Sequence, residues 1–542
     1  MGYVYFPQFE KGKKGIRIHS GLTILEHARK SGIEINAECG GIGKCGKCVV
    51  RIEKGNENLN PPTDLEKNFS LKEDERLACQ AKILNEKEDI VVYIKNFGEY
   101  EILKYGIERK IPLSPIFYRT GNRIFKNGEE IDEYKGKIYG LAIDIGTTTV
   151  VIEVVDLENG NIVEKVAKTN PQISYGNDVI SRIEYVLVDK ESGKYFEESE
   201  RERKVKDLQK PLINMINRAI DEISGKIGDD ISKYIYDAVV VGNPTMRNLF
   251  FGIDVSSLGI IPFEPVHKEP VIRKPEDIGL KINEKGQIYG ACLVGGHIGA
   301  DSLANILSSE IYKREEICMI VDIGTNGEII IGNKEKIIAT SAAAGGAFEG
   351  ATVSCGIGAI EGAIKEIRIV DGKVVYSTIG NKPPKGICGS GLIDLLAEFL
   401  NHNIMTKTAK IKEDFYITDE LKITQKDIYQ LITSKAAIKT AQNILAKYYP
   451  VEIENIDKIF ISGGFGNFIN VKNAMRIGLI PEVDEKKVIK IGNGALEGAR
   501  EMLLSGERRK LSEEIAKKVK HVKINEIEKN FEYIMAENMY FE

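Results

Sequence analysis

The sequence predicts a multidomain α/β protein: a small α+β unit in the first hundred residues or so, followed by a larger unit of two related α/β lobes. Three observations carry this. Four of the eight cysteines (Cys39, Cys45, Cys48 and Cys79) fall in the first eighty residues, and the other four are scattered singly. From about residue 138 the texture changes to apolar strands alternating with long amphipathic helices. An apolar strand running into Asp-Ile-Gly-Thr occurs twice, at Asp144–Thr147 and Asp322–Thr325, 178 residues apart (144 to 322). That spacing is too long for a solenoid period and reads as two halves of one architecture. At 542 residues the chain exceeds one core and suggests roughly three or four folding units.

Bulk properties exclude several classes. The chain is 42% hydrophobic and 29% charged, with a mean hydropathy of -0.19, as in ordinary globular proteins. A formal net charge of -5 is not the basic field of a sequence-independent nucleic-acid binder. Lys11, Lys13 and Lys14 read as a solvated surface. No apolar run reaches the ~18–20 residues of a membrane span. The N-terminal stretch lacks the charged-then-apolar pattern of a secretory signal, and Gly2 lacks the following hydroxyl residue that myristoylation needs. The expected location is the cytoplasm, with no nucleic-acid or membrane partner.

Residues 1–97 read as one unit. Alternation over Gly15–His19 predicts a strand, Leu22–Ala28 a helix stopped near Gly32, and Val49–Ile52 and Ile90–Ile94 two further strands. This fits a small ubiquitin-like β-grasp fold. Residues 98–137, with Pro112, Pro115 and several glycines, read as a linker with a short strand of its own. Residues 138–542 form the two-lobed unit, divided at about 138–316 and 317–542.

The cysteine loop runs Cys39-x5-Cys45-x2-Cys48, then thirty residues to Cys79. Glycines at 40, 41, 43 and 46 let the loop curl so that three thiolates converge, with backbone N–H groups free to face sulfur. Structural zinc more often uses paired C-x2-C knuckles, and only one such pair exists. Gly41, Gly43 and Gly46 also match G-x-G-x-x-G, but a strand follows where a dinucleotide site needs a helix. Gly41-x4-Gly46-Lys47-Cys48 misses a Walker A motif because Cys48 stands where magnesium needs a hydroxyl. The loop is close to plant-type spacing, so an iron–sulfur cluster is the favoured reading. Residues 16–94 resemble a ferredoxin of the plant or adrenodoxin type, the x5 spacing favouring the latter. The resemblance implies a [2Fe-2S] cluster on Cys39, Cys45, Cys48 and Cys79.

Each D-I-G-T loop reads as a hairpin whose tip can approach phosphates: Gly146, Thr147, Thr148 and Thr149 in the first, Gly324, Thr325 and Asn326 in the second. Asp144 and Asp322, at the strand ends, can hold magnesium directly or through water. One such hairpin alone would read as an ordinary turn; two near-identical copies favour a clamp on a triphosphate. A later strand ends in Gly463-Gly464-Phe465-Gly466, a flat backbone against which adenine can lie. Together these resemble the actin/Hsp70/sugar-kinase (ASKHA) superfamily, with two phosphate motifs and an adenosine motif. Its two connecting helices look like Gly299–Asn305 and Gly492–Gly498, whose small residues permit close packing. Asp301 falls where relatives often carry an acidic residue near the attacking water; a helix-capping role competes. The Gly389–Ser390 backbone, at a helix start, is expected to contact nucleotide, with Cys388 a small packed residue. His297 reads as a packing or local hydrogen-bonding residue.

The fusion of the two modules resembles the reductive activators of corrinoid proteins. Further stretches carry the likeness: Asn170–Gln172 with Tyr175–Arg182, Gly242–Met246, Ala344–Gly350 and Gly386–Asp394. It covers nearly all of residues 10–505. It implies ATP and Mg2+ as cofactors beside the cluster, a Co(II) corrinoid protein as client, and an electron-donating protein or reductant as source. It also implies an electron delivered uphill to regenerate Co(I), with ATP supplying the bias. Two departures are expected. Only about forty residues stand where larger members carry a middle domain, which leaves a homodimer as a candidate assembly of open geometry. The tail from Ser505 has no cysteine, so one cluster is expected. Another low-potential metalloenzyme as client, or a small-molecule kinase with a regulatory ferredoxin unit, are the alternatives.

Overall fold

The computed structural model describes residues 2–541 except 34, 36, 38–40, 44–45, 70, 96–110, 190–191 and 465–467. It divides into two compact units, residues 1–99 with 171–185, and residues 100–170 with 186–542.

In the first unit, strands β1 (Tyr3–Tyr5), β2 (Ile16–Arg17), β3 (Val49–Lys54), β4 (Glu75–Leu77) and β5 (Ile90–Ile94) form one sheet in the order β2-β1-β5-β3-β4. β1 and β5 are parallel and the other pairs antiparallel. β1 and β4 join the three expected strands. Helix α1 (Ile24–Lys30) starts at Thr23, whose Oγ1 accepts from the Glu26 N–H at 3.1 Å while Glu26 accepts from the Thr23 N–H at 2.7 Å. This reciprocal cap satisfies two of the donors a helix start leaves open. Ile24, Leu25 and Ala28 of α1 share a core with Val50, Ile52, Ile90 and Val92, the expected β-grasp arrangement. Segment 171–185 carries the buried Arg182, which donates to the Gly176 carbonyl at 2.9 Å and to Gln172 Oε1 at 3.3 Å.

The second unit opens with a three-stranded antiparallel meander, β6 (Phe117–Thr120), β7 (Arg123–Lys126) and β8 (Glu129–Glu133), where a single short strand is expected. Phe117 and Ile124 are wholly buried and belong to the same core as Ala142 and Leu303.

The first lobe is a six-stranded sheet of β9 (Tyr139–Ile145), β10 (Thr149–Asp156), β11 (Ile162–Thr169), β12 (Ile235–Gly242), β13 (Val271–Arg273) and β14 (Gln287–Gly290), ordered β11-β10-β9-β12-β14-β13. Helix α2 (Glu198–Ile227) precedes β12. In the second lobe β15 (Cys318–Ile323), β16 (Gly327–Gly332) and β17 (Ile337–Ala342) are followed by β18 (Ala363–Val370), β19 (Lys373–Thr378) and β20 (Gly386–Ile387) in a side sheet, and by the hairpin β21 (Phe415–Tyr416) and β22 (Lys422–Ile423). β23 (Lys458–Ser462), β24 (Val488–Gly492) and β25 (Lys520–His521) complete the main sheet, ordered β24-β23-β15-β16-β17-β25. The plan repeats. In each lobe the first three strands form an antiparallel meander, and two later strands add in parallel beside the first. β12 is buried along its whole length, as parallel strands covered on both faces must be.

Helices α3 (Ala300–Ser309) and α6 (Gly494–Leu504) pack directly on each other, while α4 (Gly389–Asn401) and α5 (Gln425–Tyr448) belong to the core of the second lobe. A Cβ added at Gly498 would lie 2.3 Å from the Ala304 carbonyl oxygen, so this crossing requires glycine. Leu303 and Leu496 share their core with Val239 of the first lobe and Ile320 and Phe460 of the second. The two lobes are thus joined through the pair of helices the sequence singles out.

Candidate functional site

The β9–β10 hairpin places Asp144 at its strand end and Gly146, Thr147 and Thr148 in its tip, with Thr149 opening β10. Two asparagines hold that tip. Asn170 donates from its backbone to the Thr148 carbonyl at 2.8 Å and from Nδ2 to the Gly146 carbonyl at 2.8 Å. Asn243 donates to Thr147 Oγ1 at 3.1 Å. The β15–β16 hairpin repeats the device with Asp322, Gly324, Thr325 and Asn326. Here Asp322 pairs in register with Glu328 of the returning strand. The two tips meet: Thr148 and Thr325 hydroxyl oxygens are 3.4 Å apart, and both donate to Glu349 Oε2, Thr148 at 3.2 Å.

The carboxylates are held by side chains from the connecting helices. Asn493, at the start of α6, donates to Asp144 Oδ2 at 2.8 Å. Asn305 of α3 donates to Asp322 Oδ2 at 2.5 Å and accepts from Ser462 Oγ at 2.8 Å. Gly463 sits at φ +116°, with an ideal Cβ position 2.6 Å from the Ile323 carbonyl and 3.1 Å from Asp322 Oδ1. Only glycine fits between that strand end and the second hairpin. Asp301 is the second residue of α3, its Oδ1 accepting from the Ser302 N–H at 2.7 Å; Gly299, not Asp301, takes the capping position.

Asp144, Asp301, Asp322 and Glu349 are half-buried, and Glu328 is buried. Burial, opposed by the Asn493 hydrogen bond and reinforced by Asp322, pushes Asp144 up to about 6. Burial likewise raises Asp301, with Asp144 and Asp322 adding repulsion, and raises Asp322 and Glu349. Glu328 is raised as well, by burial and by the charges of Asp301 and Asp322. So much negative charge calls for a cation. Among the described residues, no three such side chains close on a point as metal ligands. Asp144 and Asp322, one at each hairpin, match magnesium's use of one or two carboxylates with water and phosphate oxygens completing its shell. The donor set therefore fits a magnesium nucleotide.

Ser390 is buried and donates to the Lys365 carbonyl at 2.8 Å. Cys388 faces the Ile364 carbonyl at 3.3 Å, and burial pushes its thiol up. Gly464 follows Gly463 in the turn after β23, while Phe465 falls outside the described residues. The ring neighbours of His297 are Phe263 and His521.

In the N-terminal unit, Cys48 and Cys79 are buried and form no disulfide, with sulfurs 3.3 Å apart. A disulfide needs about 2.05 Å; this spacing instead lets both sulfurs reach one iron. Cys39 and Cys45 lie outside the described residues. Gly46 has φ +70°, and a Cβ there would meet the Phe69 ring at 2.5 Å. The Arg29 guanidinium lies 3.7 Å from the ideal Cβ position of Gly41; burial lowers its pKa, opposed by Tyr175, Glu26, Cys79 and Cys48. Cys79 is braced from behind. Buried Glu66 accepts from Arg76 Nε at 2.9 Å and from the Leu77 N–H at 3.0 Å.

Glu328, Glu349, Asn305, Asn493 and Arg29 are functional candidates to which the sequence alone assigns no role. Four of them fall in stretches that already look conspicuous, but their partners are known only from the fold.

Family comparisons agree with this geometry. A model of the 2Fe-2S iron-sulfur cluster binding domain matches residues 9–84, one of the RACo middle region residues 139–314, and one of the C-terminal ASKHA domain of RACo residues 316–542. The expected loss of a middle domain is thereby corrected: the family's middle region is present, as the first lobe. The corrinoid activation enzyme RamQ of Eubacterium limosum is 30% identical, with 99% of each chain covered. The [Co(II) methylated amine-specific corrinoid protein] reductase of Methanosarcina barkeri is 26% identical over 70% of this chain and 73% of its own. The solved structure of a reductive activator for corrinoid,iron-sulfur protein superposes with a TM-score of 0.72 at 28% identity, covering all of this chain and 98% of that one. With its cluster-binding unit, its duplicated D-I-G-T hairpins and its end-to-end relatives, the chain belongs to the family of reductive activators of corrinoid proteins.

Proposed function

We propose that this chain is an ATP-dependent reductive activator that delivers a low-potential electron to a Co(II) corrinoid protein and returns it to Co(I) for methyl transfer. The observation that carries the reading is the union, in one chain, of a buried cysteine pair 3.3 Å apart and a carboxylate-lined cleft between twin hairpins. Relatives matched end to end bear corrinoid-activating names.

Cys39, Cys45, Cys48 and Cys79 are the proposed cluster ligands. When bound, a plant-type [2Fe-2S] cluster supplies one electron near roughly -400 mV. Burial of Cys48 and Cys79 keeps water from the sulfurs, and Arg29 supplies a positive charge beside them. In the cleft, the tips at Gly146–Thr149 and Gly324–Asn326 take the phosphates. Asp144 and Asp322 orient magnesium-bound water, and Asp301 positions the attacking water. Gly463, Gly464 and Phe465 face adenosine, and the Gly389–Ser390 backbone completes the pocket.

Reducing a protein-bound corrinoid from such a cluster runs uphill, and each ~59 mV is a tenfold change for one electron. ATP can shift that balance only by binding two states of the chain unequally. The asparagine links from α3 and α6 to Asp144 and Asp322 give the phosphates leverage on the joint between the lobes. A reductant or electron-donating protein reloads the chain, and a homodimer is the assembly proposed. The scattered cysteines form no disulfide, which fits the reducing cytoplasm proposed as the chain's location.

ATP turnover by the purified chain, titrated with a Co(II) corrinoid protein and separately with small phosphate acceptors, tests this. Stimulation by the corrinoid protein is expected. Phosphorylation of a small acceptor, without a response to the protein, would make the chain a kinase.

A further inference from the structure

Glu349 occupies an unusual place. It is carried by the stretch Ala344–Gly350, whose turn is closed by the Gly350 N–H donating to the Ala347 carbonyl at 3.0 Å and the Ala351 N–H to the Gly346 carbonyl at 2.8 Å. Phe348, 1% exposed, anchors this turn in the core of the second lobe. The next residue projects into the cleft. Its carboxylate takes hydrogen bonds from Thr148 at one hairpin tip and Thr325 at the other.

Those two hydroxyls are the donors that facing phosphate loops would offer to an anion between them. A carboxylate oxygen and a terminal phosphate oxygen are alike in charge sign and in accepting hydrogen bonds. Two anions cannot share the seat. Glu349 is also pressed by the charge of Asp322 and presses in turn on Glu328, so it is held among like charges by two hydroxyl donors.

We propose that Glu349 occupies the seat of the terminal phosphate, so that ATP must displace it and ADP need not. Glu349 is then a specificity-determining residue, and the 344–350 turn is the element that registers a triphosphate. This rests on the reading of the cleft as an ATP site and names what that site discriminates.

Calorimetric titration of the full chain with ATP-Mg and with ADP-Mg tests it, for the wild type, E349Q and E349D. Removing the competing charge in E349Q should tighten ATP by about tenfold and ADP by no more than about twofold, since like-charge juxtaposition is costly. E349D, one methylene short of both hydroxyls, should move the same way by less. In the wild type, hydrogen exchange of the 344–350 amides should rise with ATP and not with ADP, a readout that needs no variant. An unchanged ATP-to-ADP preference in E349Q, or equal exchange with both nucleotides, would overturn the proposal. Lost hydrolysis at unchanged affinity would also overturn it, making Glu349 a base acting on water. If wild type and E349Q alike bind neither nucleotide, the ATP reading itself fails and takes this inference with it.

Discussion

Asn493 donates from Nδ2 to Asp144 at 2.8 Å while its Oδ1 accepts from the Leu496 N–H at 2.9 Å. One amide therefore caps helix α6 and holds the carboxylate of the first phosphate hairpin, 349 positions earlier in the chain. Asn305, on the partner helix α3, does the same service for Asp322. The helices that join the lobes are thus wired to the groups that would meet the magnesium nucleotide.

Replacing Asn493 with alanine removes a cap worth about 1 kcal/mol and the hydrogen bond that favours ionised Asp144. Burial already raises this group, and Asn493 opposes the rise. Without it Asp144 titrates above its present value of about 6. The acid limb of the pH–rate profile for ATP turnover should move to higher pH in N493A. An unmoved limb would show that Asp144 does not set it.

Asp144, Asp301, Asp322, Glu328 and Glu349 are all raised, first by burial. The folded chain then keeps protons that the unfolded chain has lost above pH about 4. The contribution of these five groups to stability should therefore fall as pH climbs from about 4 to about 7, the sign expected where the native state binds more protons. Magnesium with ATP should raise the melting temperature more at pH 7.5 than at pH 5.5. Scanning calorimetry at both values checks this, and an equal gain would contradict it.

The G498A substitution forces a methyl against the Ala304 carbonyl, 2.3 Å from its ideal position. Backbone cannot move aside as a flexible side chain can, so a loss of about 1–3 kcal/mol is expected. Denaturant unfolding followed by circular dichroism measures it. A loss below about 0.5 kcal/mol would mean the helices can part without cost.

Arg76 and Glu66 form a buried pair, 4% and 1% exposed, directly before Cys79. In R76M the Glu66 carboxylate loses its charge partner, a change that costs about 3–5 kcal/mol for buried pairs. Iron–sulfur absorbance should then decay faster under mild denaturant than in the wild type. Decay at the wild-type rate would separate the pair from cluster retention.

The parts legible in sequence are those written in local pattern. The cysteine spacing, the twin D-I-G-T strands and the small residues of Gly299–Asn305 and Gly492–Gly498 each carry their meaning within a dozen positions. The meander over 117–133 escapes because its strands are short, and Glu129 and Glu130 are exposed while Phe117 and Ile124 supply most of its burial. Glu349 and Asn493 stand in conspicuous stretches, yet their roles depend on partners 201 and 349 positions away. The Ser390 hydroxyl ties its helix to the Lys365 carbonyl, a partner that no local pattern around the helix start shows.

The most direct measurement is anaerobic. Chemically reduced protein is mixed with a Co(II) corrinoid protein, with and without ATP-Mg, and the visible spectrum is followed for Co(I), with C79S run in parallel. Co(I) should appear with ATP-Mg and the wild type alone. Co(I) forming as fast without ATP, or from C79S, would contradict the coupling of cluster and cleft on which the account stands.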